Sequence, residues 1–151
     1  PKVLDKTLGR LHSINTMIDK SRATVDIFNN LNAGFFVSDY FFQVENDAIV
    51  TVTLINLSEK SLPCLPNIET GCQIFLSYHW KSNTDDSCSM WDGVRTELPC
   101  DIKAHSASVI DMKITSPKKS GSYTLQFDMV LEGSIWYSHV NGLLATKLVN
   151  L

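Results

Sequence analysis

The chain has 151 residues, 44% of them hydrophobic, and a formal net charge of −3. That length and apolar content suit one domain with its own core. No basic tract marks a nucleic-acid binder, and no apolar run approaches the roughly 20 residues of a membrane span.

In chain order, residues 2–31 read as helical. Leu4, Leu11, Ile18 and Val25 recur every seven residues, with Ile14 and Phe28 at two of the positions three further on. This is an imperfect heptad seam. It fits either a coiled coil that pairs two copies or an amphipathic helix packed on its own domain. Asn29, Asn30, Asn32 and Gly34 then supply a stop signal. The chain opens on Pro1 rather than Met and is read as part of something longer.

Beyond Gly34 the period changes from helix to strand. Strands are predicted over Phe35–Val44, around Val50–Leu54, over Ile74–Trp80, around Ile110–Ile114, from Ser122, and over Leu143–Leu151. Turns or loops separate them at Asn46-Asp47, Ser58–Gly71, Ser82–Ser89, Asp92-Gly93, Pro117–Gly121 and Asn141-Gly142. In the stretch Ser122–Tyr137, Tyr123, Leu125, Phe127, Met129 and Leu131 share one face. Thr124, Gln126, Asp128, Val130 and Glu132 share the other. Such alternation describes a strand with one side in a core and the other open. Many short strands with no helix among them indicate a mainly β fold, an Ig-like or jelly-roll antiparallel β-sandwich preceded by an N-terminal helix. Residues 1–33 form the helix or linker and residues 34–151 the sandwich. Tyr123, just after a Gly at the start of a strand, has the placement of a tyrosine corner.

Four cysteines, Cys64, Cys72, Cys88 and Cys100, allow two disulfides in three connectivities. A core of this size does not require them, and they are read as reduced thiols. No C-x2-C pair or suitably spaced His points to a metal, and no cofactor motif is present. Asn56-Leu57-Ser58 is a sequon, meaningful only in a glycosylating pathway.

The open strand faces carry His79, Asp128 and Glu132, and Arg95 lies in the compact segment WDGVRTELP near Asp92. Trp80, Trp91 and Trp136 each neighbour one of these polar groups. Trp80 is in phase with Leu76 and Tyr78 and belongs to the core. Carboxylates, Arg and His hydrogen-bond hydroxyls, while aromatic rings cover apolar C–H faces. The mixture suits a sugar, and Arg95 would favour an acidic one. The candidate binding residues are His79, Arg95, Asp128, Glu132 and Trp136. Asp128 and Glu132 stand four residues apart on a strand, roughly 13 Å at the usual rise. Glycosidase carboxyl pairs sit about 5–9.5 Å apart, so that pair does not fit hydrolysis, and no nucleophile elbow is present.

Four segments carry a family resemblance: Leu76–Trp80, Trp91–Pro99, Pro117–Leu125 and Asp128–Tyr137. Their order resembles an Ig-like accessory domain of bacterial glycan-handling proteins, over about residues 41–136. Such domains occur on polysaccharide ABC-exporter ATPases, glycosyltransferases and sugar-linked methyltransferases. The exporter case is similar in architecture to the C-terminal carbohydrate-binding domain of the O-antigen transporter's ATP-binding subunit. Where such domains hold a Pro-Gly turn before the Ile110 strand, this chain has Ala104-His105-Ser106.

The resemblance implies a non-catalytic domain that recognises a surface polysaccharide. It implies a homodimeric parent associated with a transporter membrane subunit, in the cytoplasm at the inner face of the bacterial inner membrane. A structural or dimerising accessory domain of a transferase is the alternative.

Overall fold

A computed structural model of the chain describes residues 27–40 and 42–151. The heptad pattern of residues 4–25 therefore lies outside the described residues. Among the described residues eight strands are present: β1 (Ala33–Val37), β2 (Asp47–Asn56), β3 (Ile74–Ser82), β4 (Thr96–Glu97), β5 (Ala107–Thr115), β6 (Ser122–Leu131), β7 (Ile135–Trp136) and β8 (Ala145–Asn150). All pairings are antiparallel. One sheet has the order β1-β2-β5. The other has the order β4-β3-β6-β7, with β8 also on β6. The two sheets pack as a β-sandwich, as the alternation predicts.

The inward residues of β6 (Tyr123, Leu125, Phe127, Met129, Leu131) are buried against those of β3 (Ile74, Leu76, Tyr78, Trp80) and of β2 and β5 (Val50, Val52, Leu54, Ile110, Met112, Ile114). Each such side chain contributes about 1.5–3 kcal/mol on leaving water. Polar bonds also cross between the sheets. The Trp80 indole N–H donates to the Thr115 carbonyl at 2.9 Å, and the Thr115 amide donates to the Tyr78 hydroxyl at 2.8 Å. Trp80 is a core residue, packed edge-on against Phe42 and Tyr123.

The first strand is shorter than predicted. After Val37 the Ser38 amide and hydroxyl both bond to the Thr51 carbonyl, and the chain leaves the ladder. Phe28 and Leu31, which precede the strands, are buried in the same core. Phe28 meets Tyr137 edge-on at 5.5 Å. At Phe28 the contact is thus with this chain's own domain. The turn before β5 places His105 at φ 57°, a conformation that glycine adopts more freely. The sequon Asn56 is buried, and its amide nitrogen donates to the carbonyls of Lys60 and Ile102.

Tyr123 forms the expected corner. Its hydroxyl donates to the Lys119 carbonyl at 2.9 Å. Burial pushes its phenol above the ordinary range, with the nearby Cys88 and Asp85 adding smaller effects. Tyr123→Phe leaves that carbonyl without its donor and should cost about 1–3 kcal/mol. The denaturant midpoint should fall with no change in slope; an unchanged midpoint would show that the corner adds nothing.

Candidate functional site

The outward face of the second sheet is roofed on both sides. Residues 90–97 run along the free edge of β3. Met90 exchanges both backbone bonds with Trp80, the Gly93 amide bonds to the Tyr78 carbonyl, and Thr96 pairs with Leu76. Between those contacts the strip advances three residues for every two of β3. It therefore holds two one-residue bulges, which re-aim side chains. Trp91 and Arg95 are turned over the sheet in this way.

Gly93 permits the close approach. A Cβ there would lie 2.8 and 2.9 Å from atoms of the Tyr78 ring and would also collide with the Tyr78 carbonyl.

The second part of the roof comes from the other edge of β6. β7 pairs with Val130 and Leu131, and β8 resumes pairing at Phe127. Between them the chain makes a short helix, Ser138–Asn141. Asp128 fills the gap in the ladder. Its Oδ1 accepts the amides of Met129 and Ser138 at 2.8 and 3.0 Å, and its Oδ2 accepts the Ser138 hydroxyl at 2.5 Å.

Under this roof, His79 Nε2 lies 2.9 Å from Asp128 Oδ2, and Nδ1 bonds to the Trp91 carbonyl. Each ring nitrogen thus has a hydrogen-bond partner, as a buried polar group requires. The result is a buried His79–Asp128 pair, 1% and 0% exposed. The His79 ring also stacks on Trp91, with centroids 3.7 Å apart and planes at 11°, and meets Trp136 edge-on at 4.5 Å.

Arg95 sits outside this layer. It bonds to Glu132 at 2.7 Å and to Asp92 at 3.3 Å, as well as to the Gly93 carbonyl and the Ser77 hydroxyl. Its guanidinium lies 4.8 Å from the centre of the Trp136 ring. Burial opposes its charge, but Glu132 and Asp92 outweigh that and leave its pKa raised.

All five residues predicted for the site therefore belong to one cluster. Only three of them reach the surface. His79 and Asp128 were expected on an open face. The bulged strip and the Ser138 turn cover that face, so both side chains are buried, with His79 at the floor of the cleft beside Trp91. Arg95, Glu132 and Trp136 remain accessible. The structure adds Trp91, which is 49% exposed. It forms one wall of a cleft of about 300 Å³ that also involves Lys81, Asp86, Ser89, Met90 and Gln126. Hollows of about 420 and 390 Å³ lie near Ile27 and Pro63, but they hold no such combination of rings and polar groups.

The cluster lacks the arrangement of a nucleophilic triad. Ser138 donates to Asp128 rather than to an imidazole, and both nitrogens of His79 are engaged.

No protein-family model matches the chain, and no curated protein matches it. Among solved structures, a GH3 β-glucosidase from Bifidobacterium adolescentis aligns with a TM-score of 0.44 at 14% identity. The alignment covers 80% of this chain and 17% of that enzyme's chain.

Asp128→Ala would leave His79 Nε2, the Met129 and Ser138 amides and the Ser138 hydroxyl without their buried partner, and each buried polar group so orphaned costs about 1–3 kcal/mol. The unfolding midpoint should drop accordingly, and acrylamide should quench Trp91 more readily. Gly93→Ala should also loosen Trp91, because Tyr78 must move; unchanged quenching and stability would show that the close approach is unimportant.

Proposed function

We propose that this sandwich is a non-catalytic carbohydrate-binding domain whose contact surface is centred on Trp91. The supporting observation is a half-exposed indole, braced from behind by the His79 ring, at the wall of a polar cleft. A fixed aromatic face suits the C–H side of a pyranose. Lys81 and Gln126 lie on the outward faces of β3 and β6, and Asp86 lies across the cleft. They supply donors and acceptors for hydroxyls. Arg95 is held by Glu132 and Asp92, whereas Lys81 makes no ion pair among the described residues. In this reading Lys81, not Arg95, meets the charge of an acidic sugar.

The family resemblance extends the proposal to a polysaccharide of the O-antigen type. It would be handled by an ABC exporter on the cytoplasmic side of a bacterial inner membrane, in a homodimeric parent. A second reading, a structural or dimerising accessory domain of a transferase, draws support from the burial of His79 and Asp128, which fixes architecture rather than ligand.

Titration of the full chain with a panel of neutral and acidic bacterial oligosaccharides, followed by calorimetry, separates the two. Binding should be saturable, and Trp91→Ala should weaken it at least about tenfold, a loss of roughly 1.4 kcal/mol, with the cooperative unfolding transition retained. No binding to any of the panel would favour the structural domain, and cleavage of a glycan would favour a hydrolase.

A further inference from the structure

Met90 borders the Trp91 cleft and also a second hollow, of about 320 Å³, beside the Pro117–Gly121 loop. The buried residues of this hollow include Ser116, Pro117 and Tyr123, and Glu45, Lys118 and Lys119 are exposed at its rim. The Glu45 amide donates to the Pro117 carbonyl at 2.9 Å and closes one side.

Ser116 is the unusual member. The ladder between β2 and β5 runs one residue past Thr115, because the Ser116 amide donates to the Asn46 carbonyl at 3.0 Å. Alternation then turns the Ser116 side chain inward, in phase with Ile110, Met112 and Ile114. Ser116 is 2% exposed. Among the described residues, its Oγ is the one buried side-chain polar atom without a hydrogen-bond partner. Such an orphan costs stability, and native proteins keep few of them.

The other hydroxyls around the hollow are engaged. Ser87 donates to Asp85, Ser89 accepts the Ser82 amide, Thr115 donates to Asp47, and Tyr123 donates to the Lys119 carbonyl. At the rim, two lysines stand against the Glu45 carboxylate. Hydrogen bonds from Ser87 hold Asp85 below the ordinary carboxylate range, and the charge of Lys119 adds to this. Lys118 makes no ion pair among the described residues.

We propose that this hollow binds a small, flat monoanion with a hydroxyl at the end opposite its charge, of the phenolic carboxylate class. The ring rests on the apolar floor of Tyr123 and Pro117. The ligand hydroxyl bonds to Ser116 Oγ, and the carboxylate meets Lys118. Ser116 has no bond to break when it turns between staggered rotamers to reach the ligand. An apolar pocket with a few placed polar groups fixes a ligand's orientation in this way. The volume is at the small end of the usual range of about 300–1,000 Å³. It suits one ring rather than a sugar chain, so this site is separate from the Trp91 surface.

The test is calorimetric titration of the full chain with para-hydroxybenzoate, benzoate and phenol. The hydroxy acid should bind saturably at one site, about tenfold more tightly than benzoate. Ser116→Ala should erase that advantage and leave benzoate binding as it was. It should also raise the Tm of the protein alone, since it removes an orphaned hydroxyl. Lys118→Ala should weaken both acids and spare phenol. Equal affinity of the unaltered chain for the two acids would overturn the proposal. So would a lower Tm or undiminished hydroxy acid binding in Ser116→Ala, or no saturable binding of any of the three.

Discussion

The His79 imidazole is the constraint on which the functional face depends. One side chain joins three elements that are far apart in sequence. Through Nε2 it is tied to Asp128 on β6, through Nδ1 to the backbone of the bulged strip, and through its flat face to the ring of Trp91. Asp128 is in turn fixed by the amide and hydroxyl of Ser138. A polar pair taken out of water is stable only when its hydrogen-bonding capacity is met. Here the acceptors and donors come from both halves of the roof. The strip and the short helix are therefore held over the sheet by the same polar centre.

This arrangement separates two roles that adjacent residues could have shared. The inner layer of His79, Asp128 and Ser138 orients. The outer layer of Trp91, Arg95, Glu132 and Trp136 meets solvent. An indole packed on a buried ring loses little freedom when a flat ligand covers its other side, which lowers the entropic cost of association. Arg95 works similarly at the rim. Bonded to two carboxylates and lying over Trp136, it stiffens the edge of the surface rather than offering a free charge.

Most of the fold was legible from alternation. The inward set of β6 and the partners Leu76, Tyr78 and Trp80 could be read directly, because a period of two assigns each residue to a face. Tyr123 was legible from its place after Gly121. The site was legible only in composition. His79 and Asp128 lie on the outward face as the period requires, yet they are buried. Burial of an outward residue depends on what covers it, and neither the bulges at residues 90–96 nor the break between β7 and β8 leaves a periodic trace. The one local hint was Gly93 between Trp91 and Arg95. A residue without a side chain marks a close backbone approach, and that approach sets Trp91 over His79. Phe28, in phase with a heptad, docks instead on Tyr137, because a seven-residue repeat does not say which surface it will meet.

The irregular rims of the second sheet have a further consequence. Along β3 the bordering strip is bulged twice, and along β6 the border is cut into β7 and β8 by a helical turn. Strand addition and fibril growth need a long, regular row of unpaired amides and carbonyls. On these two borders the row is broken every few residues, so the features that carry the aromatic surface also deny a template to a neighbouring chain.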